Sequence, residues 1–266
     1  MKICGKTDRL LMKSLQSYFL SKWHKHISPP PYHPSIKAGT ENNSDRTKWV
    51  EEKLNDIPKG KRILDAGAGE LRYKPFCTHL DYVAQDFNMY DGKGDGKSLQ
   101  MGSWEQSEID IICDIVDIPE PDNSFDVILC SEVFEHLPEP IKAIKEFSRL
   151  LKKSGKLILT APFCSLSHFT PYHFYSGLNR YWYEKFLIQH GFKIIEIVQR
   201  GNYFEFIAQE LIRLESIAIE YSGKNIEKTI KKPILQVLRF LDDCSKADTD
   251  SRELLCYGYH VFAEKE

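Results

Sequence analysis

A glycine-containing turn, ILDAGAGELRY at residues 63–73, has the backbone and side chains best suited to hold a ligand. Apolar residues at its start predict the end of a buried strand, and Asp65, Gly67 and Gly69 follow at alternate positions. Glycines after a strand let the backbone approach a ligand closely, and a following helix offers free N–H groups. The turn therefore predicts a nucleotide-type cofactor, although two glycines alone do not say which one.

The residue at position 72 narrows the choice of cofactor. A dinucleotide site favours the pattern G-x-G-x-x-G, and its third glycine would fall at Arg72. A phosphate-binding P-loop is excluded because no G-K-[ST] follows the turn. The identity of the cofactor must therefore come from side chains further along the chain.

Polar side chains end the next three predicted strands. Asp86 follows Asp65 by about 20 residues, where an acid accepts both ribose hydroxyls of an adenosine, in NAD or in S-adenosylmethionine. Asp114 is suited to accept from an adenine amino group beside the N–H of Ile115, with Asp117 as its competitor, and Ser131 ends the fourth strand. The carboxyl ends of parallel strands line one crevice, so we expect these groups to meet there.

Three histidines are candidates for a general base. His136 follows the fourth strand, and His168 and His173 follow the fifth; each could take a proton from an attacking hydroxyl or amine. The alternative for each is a packing role. Glu135 could orient His136 or lie on a solvent face. Four tyrosines of the same polar loop are candidates for a substrate wall: Tyr172, Tyr175, Tyr181 and Tyr183.

Short apolar runs and helical stretches alternate between residues 61 and 163. This pattern predicts a doubly wound, Rossmann-like, mostly parallel sheet. The second crossover is glycine-rich and polar, which favours a loop, and Gly155 is the expected end of the helix that follows residue 139. Residues 1–45 are predicted as an N-terminal helical extension or lid, with a helix over 7–27. Residues 46–266 would form the main domain, with a helical insertion at 202–250.

Composition supports a soluble, cytoplasmic protein. The 266 residues carry 36 basic and 38 acidic side chains, a net charge of −2, which argues against a nucleic-acid partner. The N-terminus lacks the apolar core of a signal peptide, and no run reaches the roughly 18 apolar residues of a membrane span. Seven dispersed cysteines predict reduced, buried thiols. The histidines at 24, 26 and 33 lack a nearby acid, so no metal site is expected.

Taken together, ILDAGAGE, VAQDF, CDIVDIP, FDVILCSEVFEHL and LLKKSGKLILTAPF resemble the class I S-adenosylmethionine-dependent methyltransferases of the small-molecule, methyltransferase type 11-like kind, over about residues 60–200. The resemblance implies a seven-stranded sheet with an antiparallel last strand. It also implies that Asp65, Gly67 and Gly69 flank the methionine and ribose part of the cofactor. By the same resemblance Asp86, with Phe87 beside it, holds the ribose, Asp114 and Ile115 the adenine, and Ser131 lies along the cofactor.

The chain departs from the family at Leu71, where many members have glycine. This departure leaves the amino-acid end of the cofactor to Arg72 and Tyr73, which are candidates for binding its carboxylate. Acids in the crevice suit the cationic sulfonium better than the pyrophosphate of NAD.

The expected reaction is methyl transfer to an oxygen or nitrogen of a small polar acceptor, with a sugar or nucleotide-sugar as the hypothesis for the acceptor. Two alternatives stay open: a non-catalytic cofactor-binding subunit that docks a partner, and an NAD-dependent oxidoreductase. Formation of a homodimer through the insertion is a further hypothesis.

Overall fold

One sheet organises the part of the chain that the computed structural model describes, residues 35–266. Its strands are β1 (Arg62–Ala66), β2 (Asp81–Asp86), β3 (Ile111–Ile112), β4 (Phe125–Ser131), β5 (Leu151–Pro162), β6 (Phe192–Arg200) and β7 (Gly258–Lys265). The spatial order is β3-β2-β1-β4-β5-β7-β6. The first five strands pair in parallel, and β7 runs antiparallel to both β5 and β6. The predicted fold class, including the antiparallel last strand, is confirmed.

Within residues 35–266, five α-helices accompany the sheet: α1 (Asn42–Asn55), α2 (Pro140–Leu150), α3 (Arg180–Gln189), α4 (Tyr203–Ser222) and α5 (Lys228–Lys246). Proline at the first position of α2 has no N–H to leave unpaired and favours helical backbone there. Asn179 and Asn202 cap α3 and α4 by accepting a backbone N–H, and Gly223 ends α4 in the left-handed conformation.

Apolar side chains cover both faces of the sheet, as parallel strands require. On one face α1 buries Trp49, Val50 and Leu54 against β1 and β4. On the other face the apolar sides of α2 and α3 pack into the main core. A third cluster joins α4 and α5 to residues 36–38, where the Asp242 carboxylate accepts the N–H groups of Lys37 and Ala38 at 3.0 Å each.

The structure tests several local predictions made from the sequence. The crossover at residues 87–110 is a loop without a helix, as expected. Gly155 as the end of a helix is wrong: α2 ends at Leu150, and β5 begins at Leu151. Gly155 instead lies within β5, next to Ser154 with φ of 61°, and a Cβ at Gly155 would lie 2.7 Å from the carbonyl oxygen of Lys152. Cys164 is exposed, since it lies in the loop beyond β5, whereas Cys130 is buried.

Some sequence expectations stay as predictions. The helix over 7–27 and the histidines at 24, 26 and 33 lie outside the described residues. α4 and α5 lie between β6 and β7, but the division into an extension, a main domain and an insertion stays a prediction. Within residues 35–266, none of the helices combines the length and the apolar character that crossing a membrane takes.

Candidate functional site

A cavity of about 530 Å³ lies at the carboxyl ends of β1 and β4, within the size range of small-molecule sites. Its wall includes the glycine turn, the start of α1, the segment after β4 and parts of two loops. The residues that matter below are Arg46, Asp65, Gly67, Gly69, Arg72, Tyr73, Trp104, Ser131, Glu132, Glu135, His136, His168 and Phe169. The structure thus brings together eight of the thirteen residues predicted for the site.

The glycine turn is tightly braced against the neighbouring strand. Gly67 has φ of 75°, and a Cβ at this position would lie 2.5 Å from the Val133 side chain. The N–H groups of Gly67 and Ala68 both donate to the carbonyl oxygen of Gln85 at 2.9 Å. Only glycine combines this φ with this close approach, so the backbone faces the cavity without a side chain in the way.

Leu71 occupies the position where many members of the family have glycine, and its backbone has a conformation that glycine favours. Its φ of 59° lies in the left-handed region that glycine favours. The turn therefore keeps the backbone conformation of the glycine-bearing pattern, and Leu71 carries the strain of adopting it.

Asp65 is buried at the base of the cavity, 3% exposed. Burial raises the pKa of Asp65 to about 7; the nearby charge of Asp86 adds to this, and a hydrogen bond from Tyr82 at 2.6 Å to the carboxylate opposes it. The carboxyl thus changes its charge near neutral pH. An ionised Asp65 places a negative charge where a cationic ligand would gain from it.

Replacing Asp65 with asparagine should make stability less dependent on pH. A carboxyl whose pKa rises on folding destabilises the folded state progressively as pH increases from its unfolded value, near 4, to its folded value, about 7. The free energy of unfolding of Asp65→Asn, relative to the native chain, should increase by about 2 to 3 kcal/mol between pH 5 and pH 8. Urea unfolding at both pH values measures this difference. An equal difference at both would show that Asp65 is ionised throughout.

Asp86 ends β2 and is held by backbone donors. Its carboxylate accepts the N–H of Gly69 at 3.0 Å and that of Asn88 at 2.8 Å, with the Gln106 amide at 3.3 Å. Burial raises the pKa of Asp86, and these N–H groups oppose the rise. The acid is 4% exposed and lies under the 87–110 loop rather than on the cavity wall. It is nevertheless bonded directly to the glycine turn.

Two arginines converge at one end of the cavity. Arg46, from α1, donates to the Glu132 carboxylate at 2.9 Å and to Asn43, while its Nε has no hydrogen-bond partner among the described residues. Arg72 donates to Asn43 and Thr47 at 2.6 Å each. Burial, and to a lesser degree the positive charge of Arg46, lowers the pKa of Arg72. This end of the cavity is therefore suited to an anion.

A chain of hydroxyl groups links the turn to the end of β4. Tyr73 and Ser131 lie 3.2 Å apart, and Ser131 lies 2.8 Å from the Thr160 hydroxyl. The Thr160 hydroxyl donates to Glu132, which has φ of 57°. Such left-handed backbone in a non-glycine residue persists only where the surroundings hold it, and here Arg46 and Thr160 do so.

The cavity wall also includes Glu135, His136 and His168, which we call the His–Glu wall. Glu135 is 1% exposed, and its Oε1 lies 3.7 Å from the Nε2 atoms of both histidines. Glu135 is thus buried, which excludes the solvent face, one of the two alternatives that the sequence left open for it. Although burial raises the pKa of Glu135, the positive charges of His136 and His168 outweigh this and lower it.

Both histidines of the wall are fixed in one tautomer. His136 Nδ1 lies 2.6 Å from the Tyr172 carbonyl oxygen, and His168 Nδ1 lies 2.8 Å from the Leu166 carbonyl oxygen. A carbonyl can only accept, so each Nδ1 carries a proton and each neutral ring has its lone pair on Nε2. Burial lowers the pKa of His136; burial also lowers that of His168, but Glu135 raises it by more.

The other predicted site residues lie off this cavity. His173 is near the wall, with ring centroids 4.8 Å from His168, and burial and the charges of His168 and His136 lower its pKa to about 4. Asp114 is exposed and accepts the N–H of Val116, Ile115 is buried, and Phe87 packs edge-on against Tyr172. Their predicted contacts with the cofactor stay predictions.

The four tyrosines proposed as a substrate wall do not line the cavity. Tyr183 lies fully buried in the main core, and Tyr181 is 68% exposed on α3. Tyr172 faces Phe87, and Tyr175 donates to the Pro138 carbonyl. The helical register of α3 explains the difference between Tyr181 and Tyr183, because side chains two positions apart point to different sides of a helix.

Among the cavity residues that the sequence did not predict, three have a clear part in its structure. Arg46 occupies the apolar face of α1 together with Trp49 and Val50, and a charged residue at such a position is the signal that could have identified it. Trp104 packs its ring directly on Gly69 and lines a second cavity as well. Phe169 stacks on His136, with ring centroids 5.0 Å apart. Both aromatic residues lie in polar loops, and the sequence of such a loop does not predict where its side chains lie in the fold.

Comparison with known proteins adds the family. Residues 64–159 match the family model described as a methyltransferase domain. The demethylmenaquinone methyltransferase of Renibacterium salmoninarum is 35% identical over 115 residues, 42% of this chain and 45% of that protein. The ubiquinone biosynthesis O-methyltransferase of Coxiella burnetii is 29% identical over 119 residues, 44% and 50% of the two chains. The chain spans about half the length of the curated relatives it matches.

Solved structures share the fold over most of the chain. An S-adenosylmethionine-dependent methyltransferase from Archaeoglobus fulgidus has a TM-score of 0.53 at 15% identity, covering 93% of this chain and 99% of that one. The [4+2]-cyclase SpnF has a TM-score of 0.51 at 16% identity, covering 88% and 85%. Residues 64–159 of this chain are thus similar to a methyltransferase domain, and the sheet order and the glycine turn agree with that similarity.

Proposed function

We propose that this protein transfers a methyl group from S-adenosylmethionine to a hydroxyl group on an aromatic acceptor. One observation carries the proposal: a single cavity is lined by an open glycine turn, by two arginines and by the His–Glu wall. The glycine turn and the arginines suit a cofactor with an amino-acid carboxylate and no pyrophosphate. The His–Glu wall suits an acceptor whose proton must be removed.

The residues around the glycine turn fit this cofactor. Arg46, with an unpartnered Nε, and Arg72 would bind its carboxylate by charge-assisted hydrogen bonds. Asp86 would accept the ribose hydroxyls in place of the Gln106 amide. Asp65, when ionised, would favour the positive sulfonium. When bound, the cofactor supplies a methyl group activated by that sulfonium.

The His–Glu wall acts on the acceptor. Transfer forms an O–CH₃ bond as the C–S bond breaks with its electron pair left on sulfur, and the hydroxyl proton passes to Nε2 of His136 or His168. The Nε2 lone pairs of His136 and His168 line the cavity where that hydroxyl would lie. His173 does not line it, which favours the other two of the three predicted bases. Aligning the two substrates would supply up to about 7 to 11 kcal/mol of barrier reduction.

Aromatic residues of the cavity support an aromatic acceptor. Phe76, Trp104 and Phe169 contribute to the cavity wall, and aromatic faces attract flat rings. The two relatives described above are named for menaquinone and ubiquinone chemistry, which points the same way. The sequence suggested a sugar or nucleotide-sugar acceptor, and the experiment below tests this alternative against an aromatic acceptor.

A labelled-methyl assay against a panel of acceptors tests the proposal. The panel contains hydroquinones, catechols and simple phenols in one arm, and amines, sugars and nucleotide-sugars in the other. We expect transfer to at least one aromatic hydroxyl and none to the sugars. Transfer to sugars alone would overturn the acceptor class. Binding of the cofactor with no transfer in either arm would favour the non-catalytic partner subunit.

Two further expectations remain predictions. A homodimer through α4 and α5 would bury apolar side chains that this hairpin exposes, among them Ile219, Tyr221, Ile230 and Phe240. A cytoplasmic location agrees with the absence of a membrane-crossing helix from residues 35–266.

A further inference from the structure

The His–Glu wall brings together more potential metal ligands than a single catalytic base requires. One ligand atom from each of Glu135, His136 and His168 can be chosen so that all lie within 4.8 Å of one another. Two imidazoles and one carboxylate form a common ligand set for divalent transition metals. The sequence predicted no metal site, because these residues come from two segments about 30 positions apart that only the fold brings together.

The ligand atoms are prepared for a cation. Each histidine donates its Nδ1 proton to a backbone carbonyl, which directs the Nε2 lone pair to Glu135, the arrangement that metal-binding histidines adopt. Metal bonds of about 2.1 Å require neighbouring ligand atoms no more than about 4.2 Å apart. Glu135 Oε1 meets this limit, at 3.7 Å from both Nε2 atoms.

The His–Glu wall also contains no permanently positive side chain. Glu135 is 1% exposed, and its Oε2 has no hydrogen-bond partner among the described residues, nor does Nε2 of His136. Within residues 35–266 the groups that pair with Glu135 are the two imidazoles, which are charged only when protonated. Glu132, by contrast, has Arg46. A buried carboxylate without a permanent positive partner is costly to keep ionised, and a bound cation would remove that cost.

We propose that Glu135, His136 and His168 bind one divalent transition-metal ion, which coordinates the acceptor's hydroxyl oxygen. The role in the reaction, though not the metal site itself, rests on the methyltransferase function proposed above. A cation at this position lowers the pKa of a coordinated hydroxyl. With both Nε2 atoms bound to the metal, the metal replaces the two histidines in activating the hydroxyl. The hydroxyl proton is released to solvent, and an oxygen lone pair forms the new bond to the methyl carbon as the C–S bond breaks. The acceptor is thereby restricted to oxygen nucleophiles that coordinate metals, such as catechols and hydroquinones.

Cobalt binding tests this site without relying on activity. Chelator-treated full-length protein is titrated with Co²⁺, followed by visible d–d absorption and by metal content after gel filtration. We expect one tightly held Co²⁺ per chain, displaced by Zn²⁺. His168→Ala should weaken binding at least about 100-fold, since even outer-shell changes cost about 10- to 100-fold. His190→Ala, at a half-buried histidine that directly follows α3 and lies outside the cavity, is the matched control and should bind Co²⁺ as the native chain does.

The outcomes separate this inference from the proposed function. Thermal unfolding first establishes that His168→Ala is folded, and Glu135→Gln provides a second variant with a conserved shape. No Co²⁺ uptake by the native chain, or unchanged uptake by both variants, overturns the site; the latter would place the metal elsewhere, such as at the histidines of positions 24, 26 and 33. S-adenosylhomocysteine binding is measured on the same samples. If it binds and Co²⁺ does not, the metal site fails and the proposed function stands; the reverse result rejects the cofactor and leaves the metal site.

Discussion

Asp86→Asn is expected to weaken S-adenosylhomocysteine binding about 100-fold. In the proposed function the carboxylate at the end of β2 would accept both ribose hydroxyls, and each charge-assisted hydrogen bond contributes about 1.5 to 3 kcal/mol. Asparagine keeps the shape and can still accept one N–H of the glycine turn, but it loses the charge and one acceptor atom. A loss of about 3 kcal/mol corresponds to a 100-fold change in dissociation constant, which calorimetric titration measures directly.

Asp81→Asn provides the matched control for this substitution. Asp81 begins the same strand at the opposite end, is exposed, and has Arg62 as a distant ion-pair partner at 3.7 Å. The Asp81→Asn substitution should leave the affinity for S-adenosylhomocysteine unchanged. Because Asp86 also braces Gly69, thermal unfolding is recorded for both variants. If a folded Asp86→Asn variant binds S-adenosylhomocysteine with a dissociation constant within about threefold of that of the native chain, the ribose does not contact Asp86.

Arg46→Met should destabilise the protein by about 3 to 5 kcal/mol, a fall in melting temperature on the order of 10 °C. The guanidinium is buried and pairs with the Glu132 carboxylate at 2.9 Å. Burial raises the pKa of Glu132, and Arg46 is the largest opposing influence. Removing Arg46 leaves the Glu132 carboxylate, whose side chain is 30% exposed, without its positive partner, and this unpaired carboxylate accounts for most of the expected loss.

A double substitution separates the lost pair from lost packing. Arg46→Met with Glu132→Gln removes both charges, so most of the lost stability should return, while S-adenosylhomocysteine binding stays weak because the carboxylate end has lost one arginine. Arg213→Met is the control, since Arg213 forms an ion pair with Glu210 on α4, away from the cavity. Additive losses in the double variant would show that the pair is not coupled.

The sheet could be predicted from the sequence because its strands are marked by local apolar runs. The ends of β1, β2 and β4 follow from Ile63–Leu64, Val83–Ala84 and Val127–Cys130, so the acids that follow them were placed correctly relative to the strands. The edge strand β3 is only two residues long, shorter than its apolar run suggests. An edge strand has one neighbour to pair with, and its length depends on loop contacts rather than on its own residues.

The cavity could be predicted only where it is built from those strand ends. Gly67 and Gly69 are recognisable because a left-handed turn and a close approach demand glycine. Trp104 and Phe169 were not recognisable, because a loop held by the bridge between Leu99 and His168 brings them over the turn. Contacts between segments far apart in sequence depend on the packed fold, which no periodicity records.

Thermal unfolding with S-adenosylhomocysteine and with NAD, run in parallel on the native chain, tests the identity of the cofactor most directly. Ligand at about 100 times its dissociation constant stabilises a protein by roughly 2.7 kcal/mol, about 5 to 10 °C for a chain of this size. We expect S-adenosylhomocysteine to raise the melting temperature by this amount and NAD to leave it unchanged. A shift with NAD and none with S-adenosylhomocysteine would contradict the assignment of the glycine turn at residues 63–73, and methyl transfer with it.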